Sequence, residues 1–330
     1  MTRLQHIITT GRYTLPVAIF LTLLCWIGVY LYFPDLEVAE NTSHPLLQSL
    51  QNTIANWASR VLSLVCCFLI GFFLIHLNND YAIIRRRASV QTSIFLLCVS
   101  ACPLLHIFYI TDIAAILLLF SINNLFKCYQ QQHPMGYVFN AFVFLGFASL
   151  LFPHCLWFAP IFLIGTGMIT PMTFRNLIAA ILGCSLPYFF LWGYAYWIEN
   201  MEVFYQLFNE LIAFPKFSVD NLSITQWVVY AYFFVIYVVS AVYCFTNKNK
   251  DKIRTRAYLR FIILFLLSFF VYMILQPVHS ISIFLLLLTG LSILSAHFFV
   301  LTNNKASNWF FIGALVGLVL LFTFNIWMLL

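Results

Sequence analysis

Residues 137–172 run for 36 positions without one charged side chain. A single straight helix of that length would reach about 54 Å, against roughly 30 Å of bilayer hydrocarbon. The run therefore has to fold as two helices, and Pro153 followed by His154, near its middle, marks the turn.

Apolar residues make up 63% of the 330 and charged residues 8%. A soluble domain is about a quarter charged, so this chain cannot cover its apolar surface in water. The apolar runs are solid and do not alternate as barrel strands do. The expected fold is an all-α polytopic membrane protein, one transmembrane domain over residues 1–330 with no separate soluble domain. Apolar runs between polar breaks predict about eleven spans, near 13–33, 57–77, 90–105, 110–126, 137–152, 155–170, 174–197, 226–245, 258–275, 279–299 and 308–330. The third to sixth are short, at about 24 Å each, and pair as hairpins. The first is too long for the apolar core of a signal peptide and reads as a span that stays.

Charge supplies an independent check. With the N-terminus inside, fourteen of the sixteen Lys and Arg residues fall on inner segments, Arg60 and Lys216 being the exceptions. Eight of the ten acids then fall outside. Basic cytoplasmic loops orient spans during insertion, so the expected location is the bacterial inner membrane, with a cytoplasmic N-terminus and a periplasmic C-terminus. Two outer loops carry amphipathic segments. In residues 45–57, Leu46, Leu47, Leu50, Ile54 and Trp57 share one face; in 201–212, Val203, Phe204, Leu207, Phe208, Leu211 and Ile212 do. Both are expected to lie along the outer interface.

The nine cysteines lie in or beside apolar runs without metal-ligand spacing, and they read as packing residues. No phosphate loop, nucleophile elbow or histidine pair at ligand spacing appears, so neither a metal nor a cofactor is expected. The spans carry uncharged polar groups such as Asn140, Thr289, Ser292 and Asn325, which suit hydrogen bonds between helices. Basic patches at 85–87 and 248–260 are explained by anchoring, without nucleic acid.

Polar chemistry gathers on the outer face, where His44, His106, His154 and His279 map to loops or turns and Arg60 lies near a helix end. Arg60, with His106 and His154, is the candidate site for a lipid phosphate, and Asp35 and Glu37 are the candidate catalytic carboxylates.

Two resemblances bear on this. The stretch 139–192 carries Phe139, Asn140 and Ala141, the turn at 148–153, Pro171 with Arg175 and Asn176, and Gly183 with Pro187. It resembles an uncharacterised family of multi-pass inner-membrane proteins from the Bacteroides phylum, and residues 79–87 fit the same family's first inner loop. That likeness implies an inner membrane and supplies no activity. In architecture the chain is also similar to GT-C class glycosyltransferases, which place acids and an interfacial helix in the first outer loop. Asp35, Glu37 and the 45–57 segment stand there. The soluble C-terminal domain and paired-acid motif of that class are missing.

Three functions follow as expectations. The first is a non-catalytic cell-envelope partner or assembly factor. The second is a lipid-linked glycan enzyme with an outward site, and the third is a transporter or flippase, disfavoured by the scarcity of intramembrane charge. The partners expected are membrane lipids, with a polyprenyl-phosphate lipid or another envelope protein as candidates. The orientation is testable directly. Alkaline phosphatase fused after Leu330 should be active in the bacterial periplasm and inactive after Lys252; the opposite pattern would invert the topology.

Overall fold

The structure is a computed structural model that describes residues 4–33, 54–84, 89–212, 223–246, 251–302 and 304–330. Among these residues there are thirteen α-helices and no strand. They are α1 (Leu4–Thr10), α2 (Thr14–Tyr32), α3 (Asn56–Tyr81), α4 (Ser89–Ser100), α5 (Ile110–Lys127), α6 (Met135–Leu151) and α7 (Ala159–Ile169). Then follow α8 (Phe174–Trp197), α9 (Glu202–Ile212), α10 (Ile224–Thr246), α11 (Ile253–Leu275), α12 (Ser280–Leu301) and α13 (Lys305–Leu329). Eight helices are long and apolar enough to cross a membrane, namely α2, α3, α5, α8 and α10–α13. Three apolar stretches are shorter: Ser89–Ser100, Met135–Leu151 and Pro153–Ile169. The expected all-α polytopic fold is present, with short helices where residues 90–105 and 137–170 placed them, whereas 110–126, expected to be short, forms α5, which is long enough to cross.

The helices alternate in direction, so their turns collect at two ends. One end holds His106, His154 and His279; the other holds Lys127, Arg175 and Lys252. We call these the histidine end and the basic end. At the centre lies α12, SISIFLLLLTGLSILSAHFFVL, whose spanning stretch is buried throughout. A helix apolar on every side belongs inside a bundle. Its hydroxyls do not disturb this, because Thr289, Ser292 and Ser295 donate to the carbonyls of Leu286, Thr289 and Leu291, at 2.6 to 2.7 Å. Asn325 of α13 donates to the Ala101 carbonyl at 2.9 Å, an interhelical bond of the kind its position in a span suggests. Asn140, in contrast, is exposed on α6.

Helices α6 and α8 approach closely through glycine. A Cβ added at Gly183 would stand 2.5 Å from the Phe139 carbonyl oxygen, and one at Gly146 would stand 2.9 Å from Pro187 Cγ. Gly183 and Pro187 thus serve packing.

The hairpin in residues 137–172 is present. Helix α6 ends at Leu151, the chain turns through a 3₁₀ segment over Pro153–Phe158, and α7 follows. The turn is not open to solvent, however. His154 is 3% exposed, because α9 packs across this segment. Helix α9 confirms the amphipathic reading of 201–212, with Val203 and Leu207 buried and Glu202, Tyr205 and Asn209 exposed. The companion segment at 45–57 lies outside the described residues apart from its last four positions. There, Asn56 and Trp57 open α3 instead.

At the basic end α1 was not foreseen. Its Gln5 side chain donates to the carbonyls of Phe299 (2.6 Å) and Thr302 (3.1 Å), while the Gln5 backbone N–H donates to Asn308 Oδ1 at 3.0 Å. Both ends of the α12–α13 connection are thereby held.

The α6–α8 contact gives a paired test. Gly183→Ala should lower thermal stability in detergent by about 1–3 kcal/mol through overpacking. Gly193→Ala, on the same helix with nothing within 4 Å, should be neutral or slightly stabilising. Equal melting of the two variants would contradict the close approach.

Candidate functional site

The histidine end contains two polar clusters of different character. The first joins α2, α3 and the 3₁₀ turn at Pro103–His106. Arg60, in the first turns of α3, donates through Nη2 to the Phe33 carbonyl at the end of α2. Its guanidinium lies 5.2 Å from the centroid of the Tyr30 ring, within cation–π range. Trp26 Nε1 donates to the Arg60 carbonyl at 3.3 Å, and the indole stacks on His106 with centroids 3.6 Å apart. Ser63 Oγ closes the group by donating to the Leu105 carbonyl at 2.8 Å.

Arg60 is therefore buried and faces neither lipid headgroups nor open water. Its position serves to clasp two helix ends. His106 is 1% exposed, and burial with the nearby Arg60 charge pushes its pKa down to about 3, although the carbonyls of Val99 and Ser100 favour the charged form. This ring is neutral at physiological pH. A neutral imidazole stacked on an indole is a poor phosphate ligand.

The second cluster gathers around the turn at Pro153–Phe158. His154 faces His279 with ring centroids 4.7 Å apart, and Tyr272 of α11 lies 5.8 Å from His154. Gln276 follows Tyr272 by four residues, hence on the same face of the helix end. Its backbone N–H donates to the Tyr272 carbonyl at 2.8 Å, and its carbonyl accepts from the His279 N–H at 3.3 Å. Phe152 and Phe158 wall the group.

Among the described residues, both ring nitrogens of His154, the Tyr272 hydroxyl and both amide atoms of Gln276 are buried without a hydrogen-bond partner. Each such group costs on the order of 1–3 kcal/mol if it stays bare. Five such atoms leave hydrogen-bonding capacity that suits water or the polar part of a ligand. No group of three or more metal-ligating side chains occurs among the described residues.

Beside this turn an apolar groove of about 430 Å³ runs between α6, α7, α8 and α9. Phe142, Leu156, Ala180, Tyr188 and Phe208 line it, and Leu156 stands two residues from His154.

Of the residues proposed from sequence, Arg60 and His106 come together, joined through Trp26. His154 pairs with His279 instead. Asp35, Glu37 and His44 lie outside the described residues. Tyr272 and Gln276 were missed, since one reads as a span aromatic and the other as a span end. The string Gln276, Pro277, Val278, His279, polar and turn-forming after a long apolar run, was the available signal.

No family model, curated protein or solved structure matches the chain.

The buried neutral imidazole gives a pH test. Between about pH 6.5 and 3 the unfolded chain binds a proton at His106 that the folded chain refuses, so this contribution to stability is complete above pH 6.5 and falls as the solution is acidified. His106→Phe keeps a ring against Trp26 and cannot titrate. From pH 7.5 to 5, wild type should lose about 2 kcal/mol more stability than this variant. Equal losses would mean that the folded state tolerates the imidazolium.

Proposed function

We propose that this integral membrane protein is a lipid-binding factor of the bacterial cell envelope, and that it holds a hydroxylated headgroup at the histidine end. Residence in a membrane follows from eight long apolar helices. The observation that carries the headgroup reading is the unpartnered polar atoms of His154, Tyr272 and Gln276. A neutral histidine, a phenol and a primary amide offer both donors and acceptors without formal charge. That set suits sugar or glycerol hydroxyls better than a phosphate, for which charge-assisted bonds from arginine are the usual means. The adjoining groove, apolar and edged by α9, is placed to take acyl or prenyl carbons while the headgroup sits above Leu156. The charge asymmetry of the sequence sets this end in the periplasm of an inner-membrane protein.

Binding is the task assigned here. Asp35 and Glu37, the carboxylates of the glycan-enzyme reading, lie outside the described residues and form no part of this reading, and an assembly factor that presents a lipid to a partner needs no more. A transporter would need a midplane cavity, and Asn140 does not line one, being exposed, while Gly183 and Pro187 are packed against α6.

Native mass spectrometry of the protein in mild detergent should show a retained glycolipid or other polyhydroxylated lipid. The double variant Tyr272→Phe with Gln276→Leu should reduce that retention at least about tenfold, the loss expected from two or three neutral hydrogen bonds. Arg60→Lys should leave retention unchanged. Retention that depends on Arg60 and ignores Tyr272 and Gln276 would reinstate a phosphate site at the clasp, and a wild-type protein free of lipid would leave the partner role without a lipid.

A further inference from the structure

The basic end holds a group that the sequence reading passed over. Cys244 lies in the last turn of α10, Asp251 just before α11, and His297 near the end of α12. In the fold these three meet. Cys244 Sγ is 3.7 Å from His297 Nδ1, and His297 Nε2 is 3.4 Å from Asp251 Oδ2. The imidazole stands between thiol and carboxylate, one nitrogen toward each. Helix α12 supplies the histidine from the most enclosed part of the protein, where its ring is wholly buried. The cysteine is buried, 9% exposed, two residues from the end of its helix.

The arrangement excludes two bland readings. A metal bound by cysteine, histidine and aspartate needs all three donors on one point, whereas here the ring separates the sulfur from the carboxylate. Simple packing of a thiol does not require a histidine whose far nitrogen faces an acid. Nucleophile, base and orienting carboxylate in this order are the recurring arrangement of acyl-transfer sites, recognised by geometry and not by position in sequence.

We infer that Cys244 is a nucleophile that accepts an acyl group from a thioester, with His297 as general base and Asp251 as the residue that orients it. The Cys244 S–H proton passes to His297 Nδ1 as the sulfur attacks the thioester carbonyl carbon. A carbon–sulfur bond to Cys244 forms, the bond to the donor's sulfur breaks, and the departing thiolate takes the proton from the imidazolium. Thiol and thioester go in, thiol and thioester come out, and no oxidant is needed. Asp251 Oδ2 stands 3.4 Å from Nε2 without hydrogen-bonding it, and its charge steadies the imidazolium once the ring takes the thiol proton.

An acyl chain has somewhere to lie. At the same end an apolar groove of about 440 Å³ runs between α1, α2, α4 and α13, with Ile8, Ile94, Phe311 and Leu315 in its wall. Those four belong to one apolar cluster with Tyr243 and Phe298, the sequence neighbours of Cys244 and His297. This inference does not rest on the lipid chamber at the opposite end, and either can fail without the other.

The test uses the full chain in detergent, incubated with octanoyl-coenzyme A and mapped by peptide mass spectrometry. Cys244 should gain an octanoyl mass that neutral hydroxylamine removes. Cys25, which is more exposed than Cys244, serves as the control thiol. Cys244→Ala should abolish the signal. His297→Gln should slow it at least about tenfold, the lower range for a lost general base, while labelling of Cys25 stays constant. Asp251→Asn, isosteric and outside any helix, should slow it also and is read if the histidine variant does not fold. No octanoyl on Cys244 in wild type, or equal rates in wild type and in the His297 and Asp251 variants, would overturn the assignment.

Discussion

The enclosure of α12 is the constraint on which the rest depends. Its spanning stretch has no polar stripe to present to water, and its hydroxyls are satisfied within the helix itself. Such a helix is stable only when other helices cover it all round, which α4, α5, α10 and α11 do. Once it is fixed, so are its ends. At one, the Pro277–His279 turn meets His154; at the other, His297 meets Cys244 and Asp251. Both candidate sites are built at the ends of the same central helix, and their rigidity derives from it.

The two polar clusters at the histidine end show how burial separates structure from function. Around Arg60 the groups engage one another: guanidinium with carbonyl and tyrosine face, indole N–H with carbonyl, indole face with imidazole. The cluster closes a seam between helices, although both ring nitrogens of His106 are buried without a hydrogen-bond partner, as those of His154 are. Around His154 the aromatic walls are as tight, yet the hydrogen-bonding atoms point at no protein partner. In a low-dielectric interior the second state persists only if something else supplies the bonds. A buried arginine draws attention in a sequence, but the neutral amide and phenol also have capacity to spare.

Helix α9 changes the meaning of the turn beneath it. Without it, Pro153 and His154 would form an ordinary surface hairpin. With Val203 and Leu207 laid over the turn, His154 becomes an interior residue, and the edge of the lipid-sized groove becomes a wall. An amphipathic segment that seals a loop is thereby part of the site, through Phe208 against Tyr188 with ring centroids 5.7 Å apart.

The sequence by itself determined the class and the near-limits of most of the helices, because each depends on local quantities: run length, charge and the breaks made by proline. It determined that 137–172 must be a hairpin, since no single helix of that length fits a bilayer. It also determined that 201–212 has a burying face, from period alone. It did not determine what that face covers, nor that α1 ties into the α12–α13 connection through Gln5. The tertiary structure alone decided which polar residues meet. Tyr272 and His154 lie on helices far apart in the chain, and Cys244 stands 53 positions from His297. Each of these residues looks like packing when read along its own helix. In an apolar sequence nearly every face is buriable, so periodicity does not specify neighbours. Helix packing does, through close contacts such as Gly183 against Phe139 and through the full enclosure of α12.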